Sequence, residues 1–172
     1  MKKLLVVVDM QKDFIDGALG TKEACAIVEP VAEYIKKAMD EGVEVVFTRD
    51  THHEDYMDTR EGKKLPVPHC IEDTDGWEIC DELKLLAEGK LIFDKPAFGS
   101  VKLQEYAAKE GFDEITLLGL CTDICVISNA MLVKAALPEA DVRVVSTCSA
   151  GVTPESHDNA LKAMTMCQIE IV

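Results

Sequence analysis

The chain has 172 residues, with 18 Lys and Arg against 32 Asp and Glu, for a formal net charge of −14. That balance argues against binding nucleic-acid phosphates or anionic membranes, which both depend on clustered cations, and leaves a small molecule as the expected partner. With 48% apolar and 29% charged residues the composition is that of a soluble globular protein, no apolar run is long enough to span a bilayer, and the length suits a single domain over 1–172.

The first apolar run, in KKLLVVVD, ends after five residues at Asp9. It is too short for the core of an export signal and reads as a first strand over 3–8. A helix then precedes Gly42, with Tyr34, Ile35, Ala38 and Met39 on its expected inner face; Pro30 in its first turns leaves the start open. A second strand is expected over 43–48. It leads into residues 49–77, a polar stretch with three of the four histidines and with Pro66 and Pro68. A connection of that length inside a compact domain is more often functional than idle. Asp50-Thr51-His52 in extended chain directs the first and third side chains to one side, so that His69 can complete a site for zinc, manganese or iron. His53 points the other way.

The third strand, 90–93, leads to Lys95. A helix follows Ser100 and ends at Gly111. Strand 114–119 runs into CTDIC, and a helix capped by Thr122 or Asp123 continues from 123 to Leu137, where Pro138 stops it. Cys125 falls in its opening turn. After a fifth strand over 142–146, Thr153 caps a helix with Pro154 at its first position, continuing to about Met166. His157 on that helix reads as a surface or capping residue. A sixth strand covers 168–172.

This alternation describes an α/β protein with a mostly parallel, roughly six-stranded sheet covered by helices on both faces. In such sheets the carboxyl ends of the strands face the ligand, so Asp9, Lys95 and Cys125 are expected in one pocket. A thiol at a helix start, with an ammonium beside it, favours the thiolate and offers backbone N–H groups to a developing oxyanion; a carboxylate nearby can move the proton. Cys25, Cys80, Cys148 and Cys167 are expected to be core residues, and the odd total of seven cysteines points to reduced thiols and a cytoplasmic protein.

VVVDMQKDF, TRDTH, VPHC, DKPAFGS and LLGLCTDICV, in that order along the whole chain, resemble the isochorismatase-like cysteine hydrolases, and within them the nicotinamidases. The resemblance implies a Rossmann-like three-layer α/β/α sandwich, often assembled as a homo-oligomer, and an Asp-Lys-Cys triad at Asp9, Lys95 and Cys125. It implies a metal, zinc first, on Asp50, His52 and His69, with Glu61 as an added ligand. It further implies a non-proline cis peptide at Leu120–Cys121, an oxyanion hole from the Cys121 and Cys125 amides, and Phe14 in the substrate pocket. Two departures bear on substrate. Pro66 stands where nicotinamidases commonly carry a tryptophan, and PAFGS replaces a Ser-Tyr-Ser-Ala-Phe-like stretch, so Phe98 is the residue expected to restore an aromatic wall. The expected function is a metal-containing cysteine amidohydrolase acting on nicotinamide through a thioester. A related hydrolase of another small amide or ureido compound, and a redox-sensing member using Cys121 and Cys125 as a thiol pair, are the alternatives.

Overall fold

All 172 residues are described by a computed structural model. Six strands form one sheet, all pairs parallel: β1 (Lys3–Val8), β2 (Glu44–Asp50), β3 (Leu91–Lys95), β4 (Glu114–Leu120), β5 (Asp141–Ala150) and β6 (Glu170–Ile171). Their order across the sheet is β3-β2-β1-β4-β5-β6. The chain winds outward from β1 in one direction, returns after β3 to the other side of β1, and winds outward again. The direction reverses between β1 and β4, the switch point where ligands bind in open α/β sheets.

The run LLVVV is apolar on both faces because both faces of β1 are covered. Leu5 and Val7 pack against α2 (Lys22–Asp40) and α4 (Asp81–Ala87), through Val31, Ile35 and Leu83. Leu4, Val6 and Val8 face α5 (Val101–Glu110), α6 (Ile127–Ala136) and α7 (Pro154–Met166), through Leu103, Val133 and Met164. Two apolar cores on either side of one sheet make the three-layer sandwich. Short helices α1 (Lys12–Ile15) and α3 (Arg60–Lys64) lie at the carboxyl edge of the sheet. No helix is long and apolar enough to cross a membrane.

The caps follow the expected chemistry. Ser100 Oγ accepts from Leu103 N at 3.1 Å, Gly111 ends α5 at φ 67°, and Thr153 with Ser156 forms a reciprocal cap before Pro154. Four expectations need correction. Helix α2 begins at Lys22 behind a Thr21 cap, so Pro30 sits well inside it, half-buried. Of its four expected inner residues, Ile35 and Ala38 are buried, whereas Tyr34 is half-buried and Met39 is 38% exposed. Cys25, on the outer side of α2, and Cys167, just past α7, are exposed and not core residues. Neither Thr122 nor Asp123 caps the helix after β4; that helix opens with a wider turn over Thr122–Val126, in which Val126 N–H reaches Cys121 O at 3.0 Å. Asp123 instead accepts a hydrogen bond from Val152 N at 3.1 Å.

Candidate active site

Strand register brings the reactive groups level. Val8 pairs with Thr48 on β2 and with Gly119 on β4, while Asp50 pairs with Lys95 on β3. Asp9 therefore leaves β1 beside the ends of both neighbours. Its backbone turns there at φ 47°, a conformation that Asp tolerates better than most residues. Gly119 allows the close approach on the β4 side: at φ 118° a Cβ would lie 2.2 Å from Val8 O.

Asp9, Lys95 and Cys125 meet in a buried cluster, with exposures of 0%, 1% and 4%. Lys95 Nζ lies 2.7 Å from Asp9 Oδ2, 3.4 Å from Cys125 Sγ and 3.4 Å from Asp50 Oδ1, and it donates to Ala97 O at 3.1 Å. Burial alone would lower the lysine's proton affinity, but the facing Asp9, Cys125 and Asp50 hold it well above its ordinary value. Asp9 Oδ1 accepts from Thr48 Oγ1 at 2.6 Å. Its other oxygen, Oδ2, takes the charge-assisted contact with Lys95 Nζ at 2.7 Å. Burial raises the Asp9 carboxyl above its ordinary value, with Asp50 adding to the rise and Lys95 opposing it.

The thiol differs from the expectation. A helix start and an ammonium favour the thiolate, yet complete burial and the charge of Asp9 outweigh Lys95 and raise the Cys125 thiol well above its ordinary value. Burial thus favours the neutral thiol, with the Asp9 carboxyl among the groups that face it. The Leu120–Cys121 peptide is cis. Cys121 N–H donates to no other group of the chain, which leaves it available to an incoming oxygen.

The second cluster adjoins the first through Asp50. Ligating atoms of Asp50, His52, Glu61 and His69 all lie within 4.8 Å of one another. Asp50 Oδ2 is 3.0 Å from His52 Nε2 and 3.5 Å from His69 Nε2, while Glu61 Oε1 is 3.5 and 3.7 Å from the same two nitrogens. His69 Nδ1 sits 2.8 Å from Val67 O, an arrangement that places the proton there and turns the Nε2 lone pair inward. Two imidazoles and two carboxylates facing one point suit zinc, manganese or iron. Asp50 stays ionised: burial opposes its charge, but hydrogen bonds with His52 and His69 and the charge of Lys95 hold it well below the carboxylate range.

Residues 49–77 are not an open loop. Tyr56–Asp58 and Asp75–Trp77 are single helical turns flanking α3 and the histidine segment. His52 bridges to Ile71 in parallel register, with His52 N–H on Cys70 O at 2.9 Å and Glu72 N–H on His52 O at 2.8 Å, and this brings His69 beside His52. Gly62 packs where a Cβ would meet Tyr56 O at 2.1 Å, so the turn carrying Glu61 lies tight against the backbone of Tyr56 and Met57. His53 points outward to Glu72. His157 is no ligand; its Nδ1 is 2.8 Å from the buried Thr122 Oγ1, so it braces the turn that carries the thiol.

Several supporting residues escaped the sequence reading. The side chain of Gln11 donates to Asp50 O (2.8 Å) and Trp77 O (2.9 Å) and accepts from Asp50 N (2.7 Å), tying the segment after Asp9 to both ends of the metal-cluster loop. Asn129 donates to Cys125 O (2.8 Å) and Phe98 O (3.3 Å) and accepts from Ser100 N (2.8 Å). A buried amide four residues after a reactive cysteine was the available signal.

Both clusters open onto one cavity of about 560 Å³, lined by Phe14 and Phe98 as its only aromatic residues. Phe14 packs 5.5 Å from His69, and Phe98 is 45% exposed at the rim.

A thiol, a carboxylate and an ammonium at the switch point of a parallel three-layer sandwich define the class, a cysteine-based α/β hydrolase. Within that class the chain belongs to the isochorismatase family, whose domain matches residues 3–172. It is 26% identical over 186 residues to a nicotinamidase/pyrazinamidase of Mycobacterium tuberculosis, covering 99% of this chain and 98% of that protein. The crystal structure of a pyrazinamidase of Pyrococcus horikoshii in complex with zinc superposes with a TM-score of 0.85 at 31% identity, covering 100% of this chain and 99% of the other. An N-carbamoylsarcosine amidase from Thermoplasma acidophilum superposes at 0.82 with 28% identity, covering 99% and 95%.

Proposed function

We propose that this protein, acting as one domain over 1–172, is a metal-containing cysteine amidohydrolase that converts nicotinamide to nicotinate and ammonia. The observation that carries this reading is the shared cavity: the Cys125 cluster and the two-histidine, two-carboxylate cluster face the same space and share Asp50. The similarity to nicotinamidases supports the substrate.

In this reaction the Asp9 carboxylate takes the Cys125 proton as Sγ attacks the carboxamide carbon. The carbonyl oxygen gains the negative charge and is held by the Cys121 and Cys125 amides. Asp9 returns the proton to the amide nitrogen, the C–N bond breaks, and ammonia leaves behind a thioester. Asp9 then takes a proton from water, whose oxygen attacks the thioester. Collapse releases the carboxylic acid, which gives its proton to solvent as nicotinate, and the proton held by Asp9 returns to the thiol. Lys95 offsets the charge that passes between carboxylate and sulfur throughout. A divalent cation on Asp50, His52, Glu61 and His69 would supply Lewis acidity and an anchor for a substrate lone pair. In this reading the protein works in the cytoplasm as a homo-oligomer, as the resemblance to its family implies.

Ammonia release from nicotinamide by protein loaded with zinc, manganese or iron tests the reading. Turnover should vanish in Cys125→Ala and weaken under chelation; no turnover with the cluster fully loaded would remove nicotinamide as substrate. One observation favours a second reading, hydrolysis of a small ureido compound. With Phe14 on one side and a half-exposed Phe98 on the other, the cavity encloses a flat ring loosely. A screen of ureido compounds for ammonia release separates the two.

A further inference from the structure

Beyond the thiol and the metal cluster, the cavity has a charged rim that neither uses. Arg60 and Lys64 both line it, and both are exposed. Four residues apart on α3, they share one face of that helix. Glu61, beside them in sequence, is turned away toward the histidines.

The helix that carries them is held in place. Thr59 Oγ1 accepts from Gly62 N at 3.0 Å, Gly62 is wedged against Tyr56 O, and Leu65 O accepts from the Tyr56 hydroxyl at 2.8 Å. The backbone that carries the two cations is therefore fixed beside the cavity that both side chains line. Like charges at this spacing oppose helix formation unless an anion lies between them. No acidic side chain of the protein supplies one: neither Arg60 nor Lys64 is in an ion pair, although acidic residues outnumber basic ones by 32 to 18. Asp50 and Glu61, the only carboxylates lining the cavity, belong to the histidine cluster. The cavity thus runs from a thiol and metal-binding floor, through apolar walls, to a rim with two free positive charges. Its volume of about 560 Å³ is on the scale of sites for ligands larger than a single ring.

We propose that Arg60 and Lys64 form an anion subsite, so that between two otherwise matched small amides or ureides the protein favours the one with a carboxylate remote from the bond that is cleaved. The guanidinium presents a fork that matches a carboxylate, and the ammonium adds a second charge one helical turn away. This rests on the amidohydrolase reading for its chemistry, though binding alone can decide it.

The test uses matched pairs that differ only in the anion: nicotinamide against 5-carboxynicotinamide, and methylurea against ureidoacetate. Ammonia release gives kcat/KM on the zinc-loaded enzyme, and calorimetry gives affinity on zinc-loaded Cys125→Ala. At low salt the carboxylated member should be favoured about tenfold, as two partly exposed charge contacts allow, and the preference should shrink with added salt. It should fall to near one in Arg60→Gln/Lys64→Gln and survive in Arg60→Lys/Lys64→Arg. A ratio of one or less in both pairs, a ratio that survives charge removal, or no detectable binding of either anion overturns the subsite. If none of the four compounds releases ammonia, the amidohydrolase reading fails for these substrates while the calorimetric ratio still decides the subsite.

Discussion

Lys95 is a full positive charge in the interior, and two carboxylates and a thiol account for its presence there. Removing it as Lys95→Met should do more than abolish turnover. With Asp9 and Asp50 left facing each other in the interior, stability should fall by about 3–5 kcal/mol, as read from urea denaturation. Asp9 makes a prediction with a definite sign. Its carboxyl is raised in the folded protein, so the native state keeps a proton that the unfolded chain has already released. Its contribution to stability is full below the unfolded pKa and is lost as pH rises through the folded one. The same shift places the acid limb of kcat/KM above the ordinary carboxylate range, since Asp9 must be ionised to take the thiol proton. Asp9→Asn should lower kcat/KM by at least about 100-fold and remove that part of the pH dependence of stability. Asp9, Lys95 and Cys125 were legible in the sequence because each ends an apolar run. The charge state of Cys125 was not: its position on a helix shows in the sequence, whereas the burial that outweighs that position arises from layers far away in the chain.

The turn between β4 and α6 carries Cys125, and its surroundings specify its shape. Gly119→Ala places a methyl against Val8 O and forces β1 and β4 apart at the point where Asp9 and Cys125 must meet. A loss of more than about 3 kcal/mol is expected from the combined clash and strained φ, measured as a shift in the denaturation midpoint. Asn129→Ala leaves Ser100 N–H and Cys125 C=O without their side-chain partner; it should cost about 1–3 kcal/mol and raise KM as the Phe98 wall loosens. Strand and helix identities were readable from period and caps, including the Ser100, Gly111, Thr153 and Pro154 boundaries. Residues 49–77 were read as irregular because their order is cross-chain: Gln11, Arg49 and Trp77 close the segment. Arg49 lies 3.6 Å from the Trp77 ring centre and pairs with Asp94 at 2.7 Å, while Trp77 donates to Thr51 at 2.9 Å. Such contacts depend on strand register, which hydrophobic pattern does not reveal. The His52 and His69 pairing was nonetheless accessible from Asp-x-His spacing and the resemblance, and the geometry places Glu61 with them.

Across the whole molecule, metal binding and folding are linked, because Asp50 ends a strand, His52 and His69 lie on a folded segment, and none of these is preassembled in the unfolded chain. Zinc at about 100 times its dissociation constant should add about 2.7 kcal/mol to stability, seen as a rise in Tm that disappears in His52→Ala. The scattered cysteines report on the same packing. Iodoacetamide at pH 8 should modify exposed Cys25 and Cys167 first, whereas burial pushes Cys80 and Cys121 up to about 12 and keeps them unreactive. The strand order has a further consequence. Asp9, Lys95 and Cys125 lie at the ends of three different strands. Asp9 meets Cys125 only when β1 pairs with β4, and meets Lys95 only when β2 lies between β1 and β3, so all three gather only once both sides of β1 are paired. Each pairing closes a long loop, so the contacts that create the site are among the most distant in sequence and the slowest to accumulate. No half of this chain can hold a fragment of activity, and on refolding the return of catalysis should trace the closing of the sheet's central seam, never running ahead of it.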